Sequence, residues 1–199
     1  IRILLERNSA LNGVYFGYIG IGLYEAVRYS IPNSSSFSSK LYQMPAMPAT
    51  LNGKYDWQVS ANAAMAAMLR GFYTGLTTAN MTTIDSLENA WNQRLAAATS
   101  VEIFNRSQAF GRSVATSIHN WYLTDDLNTS NAGYVPPVFP GAWLPTPPAF
   151  VNPPVNPFLG GSRPYLASDL NIVAPAPIRY SEELNSGFYK MAKQVYDVS

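Results

Sequence analysis

The sequence contains no cysteine and a single histidine, His119, among its 199 residues. Without cysteine the chain has no disulfide framework, no thiolate zinc site and no cysteine nucleophile. A single imidazole excludes, for this chain taken alone, any mechanism that needs two histidines, and no partner set for a Ser-His-Asp triad is recognisable. We therefore interpret His119 as an ordinary, partly buried histidine at the end of a helix.

Charge is also scarce. Asp, Glu, Lys and Arg make up 13% of the residues, about half of the roughly 25% that is typical of soluble domains. Thirteen basic and twelve acidic residues give a formal net charge of +1, and no block of like charge occurs. Nucleic acids and anionic membranes are bound by clustered cations, so neither is an expected partner.

Long hydrophobic runs are absent as well. The longest extends from Gly13 to Tyr24, which is shorter than the roughly 20 residues that span a bilayer, so the sequence predicts no transmembrane segment. The chain opens on Ile1 without a methionine and enters a helical pattern at once. We expect an N-terminus that has been processed or cut.

Apolar spacing predicts four helices in the first part of the chain. They extend from about Asn8 to Ser30, from a Ser60 cap to about Leu76, from about Thr83 to Ala98, and from a Ser100 cap to about Tyr122. In the third helix the predicted apolar face consists of Ile84, Leu87, Trp91, Leu95 and Ala98. Short connections make the second, third and fourth helices antiparallel neighbours, as in a bundle. The fold class is all-α.

Proline changes the character of the chain near Asn128, since twelve of the fifteen prolines lie between Pro136 and Pro177. Such a segment is neither helix nor central strand, and extended backbone is expected. It also carries large apolar side chains that a solvated linker would lack. We therefore predict an ordered strap on a surface, whose interface candidates are Trp143, Pro145, Pro147, Phe150, Phe158 and Arg163.

A last helix is predicted from Ser181, with an apolar stripe of Leu184, Phe188, Met191 and Val195. It is still apolar and periodic near its end, so we expect the structure to continue. No metal site is predicted, because Asp125 and Asp126 lack EF-hand spacing. No catalytic or cofactor-binding residue is assigned in this chain.

Five stretches follow one another along the chain: a glycine-rich helix ending Leu23-Tyr24-Glu25-Ala26-Val27, an Ala-rich helix from Ser60 to Ala67, Gly111-Arg112-Ser113-Val114-Ala115, the part of the strap with sequence Trp143-Leu144-Pro145-Thr146-Pro147-Pro148, and Arg163-Pro164-Tyr165. In this order they resemble the N-terminal part of bacterial vanadium-dependent haloperoxidases and their phosphatidic acid phosphatase type 2 relatives. The resemblance covers nearly the whole chain. One departure is Glu25, where relatives tend to have Asp.

The resemblance implies a pocket for a tetrahedral oxyanion, vanadate or phosphate, built from Lys-x6-Arg-Pro, Pro-Ser-Gly-His and Ser-Arg-x5-His. In such a pocket the cations neutralise the oxyanion, and histidines act as acid/base and as ligand or nucleophile. This chain departs from all three motifs. Asn156 stands seven positions before Arg163-Pro164, Ile118 precedes His119, and Asp169 follows Arg163 where histidine is expected.

The resemblance therefore implies residues 1–127 as a helical bundle, 128–179 as the strap, and 180–199 as a helix leading into a C-terminal catalytic bundle that is absent from this chain. The chain would scaffold a haloperoxidase or acid phosphatase, would be inactive alone, and would bind its own catalytic bundle or another protein through the strap. Vanadate would belong to the absent half. The alternative is a noncatalytic, exported interaction module of the cell envelope, and an exported, periplasmic or envelope location is expected in either case.

Overall fold

The computed structural model describes residues 12–128 and 131–198, and within them it contains helices and turns but no strand. The all-α prediction is confirmed. These residues form two compact units, one ending at Asp125 and the other starting at Asp126. The first unit contains α1 (Asn12–Val27), α2 (Trp57–Phe72), α3 (Thr78–Ala96) and α4 (Val101–Leu123), and the second contains α5 (Gly187–Val198).

Helices α2 and α4 form the central pair of the first unit and run parallel. Ser60, near the start of α2, donates through Oγ to the Ser107 carbonyl at 3.0 Å, and Gly71, near its end, lies against His119 of α4. Residue numbers thus rise together along both helices. The extensive contact between them buries the small Ser60 and Ser107 completely.

Helices α1 and α3 run antiparallel to this pair. On α1, Tyr18 donates to Asp125 Oδ2 at 2.9 Å beyond the end of α4, while Gly22 packs against Met68 and Ile118. Helix α3 contacts α2 through the Asn62 side-chain amide of α2, which donates to the Glu88 carbonyl of α3 at 3.2 Å. The predicted antiparallel order therefore holds for consecutive helices in the chain, whereas α2 and α4 are parallel.

Gly111 sets the closest approach of α2 to α4. A Cβ atom added at this position would overlap the Ser60 carbonyl oxygen and would lie 3.1 Å from the Ser60 Cα. Since these are backbone atoms of a packed helix, they cannot turn away as a flexible side chain could. The two helices can come this close only because residue 111 has no side chain.

The predicted cap of α2 is wrong, because the helix starts at Trp57 and its cap is Asp56. The Asp56 carboxylate accepts hydrogen bonds from the amides of Gln58 at 2.9 Å and Val59 at 3.2 Å. Ser60, the predicted cap, lies inside the helix and is completely buried against α4. An acidic cap satisfies two amides that have no helical partner and also complements the positive end of the helix dipole.

Replacement of Asp56 by alanine should lower the free energy of unfolding by about 1 kcal/mol. The matched control, Asp56→Asn, keeps a side-chain acceptor and should lose only a few tenths of that amount. Urea unfolding followed by circular dichroism measures both. Equal losses in the two variants would contradict the capping role.

Helix α3 starts earlier than predicted and buries a different face. Thr77 caps it by accepting from the Asn80 amide at 3.2 Å, so the helix begins at Thr78 and not near Thr83. Its buried residues are Ile84, Glu88 and Leu95, whereas Leu87 and Trp91 are 57% and 47% exposed. Ile84 and Leu95 of the predicted apolar face are thus buried as expected, but the buried face is centred on Glu88 and excludes Leu87 and Trp91.

The other two predicted helices of this unit agree better with the structure. Ser100 caps α4 through the Ile103 amide, and the helix ends at Leu123, close to the predicted Tyr122. Helix α1 ends at Val27 and continues as a 3-10 turn to Ser30. Its predicted start near Asn8 lies outside the described residues.

Glu25 is almost completely buried near the end of α1. Its carboxylate accepts hydrogen bonds from Arg28 Nε at 2.8 Å, the Phe37 amide at 2.6 Å and Ser36 Oγ at 3.0 Å. The carboxylate thus joins the helix to the segment that follows it.

Candidate interaction surface

The second unit contains no buried side chain among residues 126–127 and 131–198, all of which are half-buried or exposed. The first unit, by contrast, buries a conventional core that includes Val59, Met68, Val114 and Ile118. Burial of apolar surface is the dominant favourable contribution to folding. A compact segment without its own core needs apolar contacts with another surface to be stable.

Local contacts nevertheless give the second unit a defined backbone. The ring of Tyr180 lies so close to Gly141 that a Cβ atom added to the glycine would come within 2.6 Å of the ring. Tyr180 also packs edge-on against Phe188, with 5.1 Å between the ring centres. Tyr134 packs edge-on against Phe158 at 5.6 Å. The chain turns tightly at Leu159–Gly161 and Ala167–Asn171. These contacts order the segment without enclosing a core.

The large apolar side chains of this unit are mostly exposed. They occur throughout the proline-rich segment and on α5. The most exposed are Val135, Val138, Leu144, Ile172, Val173, Tyr196 and Val198. Contiguous exposed apolar patches of more than a few hundred Å² are rare on monomeric proteins and mark interaction sites. The exposed apolar side chains of this unit are therefore candidates for such a site.

The six interface candidates from the sequence all lie on this unit. Trp143, Phe150 and Phe158 are 43%, 59% and 36% exposed, which leaves much of each ring available to a partner. Pro145 is half-buried, Pro147 is exposed, and Arg163 is half-buried. Phe150 also has a left-handed backbone with φ of 45°, which is rare for a bulky residue. The Phe150 amide donates a hydrogen bond to the Thr146 carbonyl at 3.0 Å, and this bond closes a turn that ends at Phe150.

Helix α5 carries an apolar seam with alternating spacings of four and three residues. The seam consists of Leu184, just before the helix, and Phe188, Met191, Val195 and Val198. Four of the five are exposed, and Phe188 is half-buried against Tyr180. Within the helix this spacing keeps Phe188, Met191, Val195 and Val198 on one face, which is typical of helices that pack along another helix.

The start of α5 at Gly187 corrects the prediction of a helix from Ser181. Ser186 caps the helix by accepting from the Tyr189 amide at 3.0 Å, and the residues before it form a turn. Asn185, Ser186 and Gly187 are poor residues for a helix interior, which favours a helix start at this point. The acidic Glu182 and Glu183, which would lie in the first turn of a helix that starts at Ser181, precede the observed helix.

Charge on this unit is mixed and sparse. Its described basic and acidic residues are Arg163, Arg179, Lys190 and Lys193 and Asp126, Asp169, Glu182, Glu183 and Asp197. Lys193 pairs with Asp197 at 2.6 Å, and Tyr180 donates to Glu182. A surface of this kind offers apolar contact and little electrostatic attraction, so it suits a protein partner better than a polyanion.

The residues needed for an oxyanion pocket do not converge within the described part of the chain. His119 is half-buried on α4, where its ring lies edge-on to Phe72 at 5.4 Å. Three of the arginines of the first unit are bound to carboxylates: Arg28 to Glu25, and Arg70 and Arg112 to Glu88. In residues 12–128 and 131–198 no group of three or more His, Cys, Asp or Glu side chains is placed to hold a metal ion. Since His119 packs against an aromatic ring and these three arginines are already neutralised by carboxylates, these four side chains do not fit an oxyanion such as vanadate or phosphate.

Glu88 is the centre of a buried charge network that the sequence patterns missed. Its two carboxylate oxygens bind Arg70 Nη2 at 2.5 Å and Arg112 Nη2 at 2.7 Å, which links α3 to both central helices. Asn62 and Gln108 donate to Asn92 Oδ1 beside it. The available signal was the spacing of Glu88, which places it on the same helix face as Ile84 and Leu95. That spacing does not show which residues bind its carboxylate.

The chain is similar to the crystal structure of the first bacterial vanadium-dependent iodoperoxidase, with a TM-score of 0.72 and 27% sequence identity. The match covers 92% of this chain and 43% of the iodoperoxidase chain. The fold is that of a helical part of a haloperoxidase-like protein. No protein-family model matches the sequence, and no curated protein matches it either.

This similarity supports the haloperoxidase-like fold expected from the sequence, and it extends over both units. Since the chain spans less than half of the iodoperoxidase, the finding is consistent with a partial scaffold of such a protein. None of the helices in the described ranges is both long enough and apolar enough to cross a membrane.

Proposed function

We propose that this chain is the N-terminal scaffold of a haloperoxidase-like or acid phosphatase-like enzyme. The observation that carries the proposal is a second unit with many exposed apolar side chains and no described buried one, in a chain whose fold matches 43% of an iodoperoxidase. In this role the first unit folds around its own core. The second unit, including α5, provides the surface on which a C-terminal catalytic bundle packs.

The proposed interface is centred on the strap, with Trp143, Phe150 and Phe158 as aromatic contacts. Aromatic side chains dominate the energetics of protein interfaces because they bury a large area at a small loss of conformational freedom. The seam of α5 adds a second contact at which Met191 and Val195 pack along a helix of the partner. The partner is the enzyme's own catalytic bundle.

Vanadate or phosphate chemistry belongs, in this proposal, to residues outside this chain. The single histidine of the chain packs against Phe72. Arg28, Arg70 and Arg112 are neutralised by Glu25 and Glu88. Whether the enzyme oxidises a halide with peroxide or hydrolyses a phosphate ester is decided by those other residues. We propose an exported, periplasmic or envelope location for the enzyme.

The isolated chain should have no catalytic activity. With vanadate, peroxide and iodide added, we expect no iodide oxidation above the buffer blank, and with a chromogenic phosphate ester we expect no hydrolysis above the blank. Wild-type chain and His119→Ala should give the same background. Turnover that is lost in His119→Ala would contradict the proposal, because it would place a catalytic site in this chain.

The apolar surface should be detectable in the isolated chain with the dye anilinonaphthalene sulfonate, which binds exposed apolar surface. Combined Trp143→Ser, Phe150→Ser and Phe158→Ser substitutions should reduce dye fluorescence and leave the unfolding midpoint of the first unit unchanged. The control combines Leu87→Ser with Trp91→Ser on α3, outside the proposed interface, and should retain more of the fluorescence. Equal fluorescence in wild type and the strap variant would contradict an exposed interface there.

A further inference from the structure

The sequence contains two Asn-Gly dipeptides, Asn12-Gly13 and Asn52-Gly53. In this pair of residues the glycine nitrogen can reach the asparagine side chain with little hindrance, since glycine adopts conformations closed to other residues. The two copies differ in their backbone. Asn12 is the first residue of α1, whereas Asn52 and Gly53 form a bend ahead of α2.

The backbone at Gly53 is open to reaction. Both residues of the bend are exposed, and Gly53 has φ of 131°, a value that L side chains rarely adopt. Within the described ranges the Gly53 amide donates no hydrogen bond to another backbone group. The nitrogen can therefore move toward the side chain of Asn52 without breaking a backbone contact.

Arg106 of α4 places a positive charge beside this bend. Its Nη1 donates to the Lys54 carbonyl at 3.1 Å, and the guanidinium lies against Gly53 so closely that a Cβ there would overlap Nη1. The same group lies 5.8 Å from the centre of the Tyr55 ring. A fixed cation stabilises negative charge that develops on the attacking nitrogen and on the side-chain oxygen.

We propose that Asn52 is a site of spontaneous deamidation and that Arg106 accelerates it. The Gly53 nitrogen attacks Cγ of Asn52 and closes a five-membered succinimide ring, and the side-chain nitrogen leaves as ammonia with the proton from Gly53. Water then opens the ring at either carbonyl and leaves aspartate or isoaspartate at position 52. One carboxylate is gained, so the formal net charge of the chain falls from +1 to 0.

Asn12-Gly13 serves as an internal control with the same covalent chemistry. A helical backbone has ψ of about −42°, and the first turn of α1 must unwind before the ring can close. Asn12 should therefore react more slowly than Asn52. The comparison separates the effect of the backbone from the effect of the dipeptide itself.

The test is incubation of the whole chain in mildly alkaline buffer, followed by isoelectric focusing and by mass spectrometry of its peptides. We expect the peptide with Asn52 to convert first and Asn52→Gln to remove the acidic isoform that forms first. Arg106→Gln should slow the conversion about fivefold, the effect of losing one nearby charge in a solvated setting, while Arg106→Lys keeps most of the rate. Arg94→Gln, which removes an exposed arginine elsewhere, should leave the rate unchanged.

Thermal unfolding of each variant verifies that the fold is intact before rates are compared. Conversion of Asn12 as fast as Asn52, or an unmodified Asn52, would overturn the site. The role of Arg106 would be overturned if the Arg106→Gln variant converted Asn52 at the wild-type rate or faster. In that case Arg106→Lys would also convert Asn52 at the wild-type rate.

Discussion

Glu88→Ala should lower the free energy of unfolding of the first unit by about 3 kcal/mol. The side chain is 6% exposed and is the common partner of Arg70 and Arg112, so its removal leaves Arg112 without its carboxylate and Arg70 with only the exposed Asp85. Loss of one partner from a fully buried pair costs about 3–5 kcal/mol. The lower end applies because the side chains of Arg70 and Arg112 are 26% and 46% exposed and regain some hydration.

The matched control is Asp85→Asn on the same helix. Asp85 also binds Arg70, at 2.6 Å, but its side chain is 54% exposed, and solvent-exposed pairs contribute only about 0–1 kcal/mol. Urea midpoints at constant slope measure both changes. If Glu88→Ala were no more destabilising than Asp85→Asn, the network around Glu88 would not hold α3 in place.

Gly111→Ala should destabilise the first unit by about 2 kcal/mol, although alanine is the better helix former. The alanine gains about 1 kcal/mol of helix propensity, while overpacking costs about 1–3 kcal/mol and more where nothing can yield. Here the obstacle is the backbone of Ser60, so α2 and α4 must separate. That separation also weakens the hydrogen bond from Ser60 to the Ser107 carbonyl.

Gly20→Ala is the control with the opposite sign. Gly20 lies in α1, where a Cβ atom added to it would meet nothing within 4 Å, so only the propensity gain of about 1 kcal/mol applies. Thermal unfolding of the two variants should move in opposite directions. A stabilised Gly111→Ala would contradict the close approach of α2 and α4.

Local sequence signals predicted the helices well where the deciding contacts lie within the helix. Ser100, followed by a first-turn acid and a regular stripe, located α4 to within a residue at each end. At α2 the prediction named Ser60 as the cap, whereas Asp56 caps the helix, and the burial of Ser60 against α4 is not visible in the local sequence. Ser60 is buried because Gly111 lets the helices meet, a contact between residues far apart in the chain.

The buried face of α3 illustrates the same limit. A stripe through Leu87 and Trp91 is the natural choice from hydrophobicity, yet both residues are exposed and Glu88 is buried. Burial of a carboxylate is tolerable only when partners are present, and the partners come from α2 and α4. Such a choice depends on tertiary structure and has no trace in the local pattern.

The strap was more accessible to prediction, because proline content excludes helix and central strand on local grounds. Its aromatic residues led to the prediction that it lies against a surface, and this stays a prediction, since Trp143, Phe150 and Phe158 are substantially exposed on the second unit. The highest exposures, at Val138 and Val173, were not anticipated. A valine between prolines carries no periodic signal from which a face can be assigned.

The central claim is that this chain scaffolds a catalytic bundle, and the intact mass of the natural gene product tests it most directly. The account predicts a product well above the 21.8 kDa of this chain, large enough for a second helical bundle, with a downstream sequence that contains Pro-Ser-Gly-His. A natural product with the mass of this chain alone would contradict the account and would favour a noncatalytic interaction module.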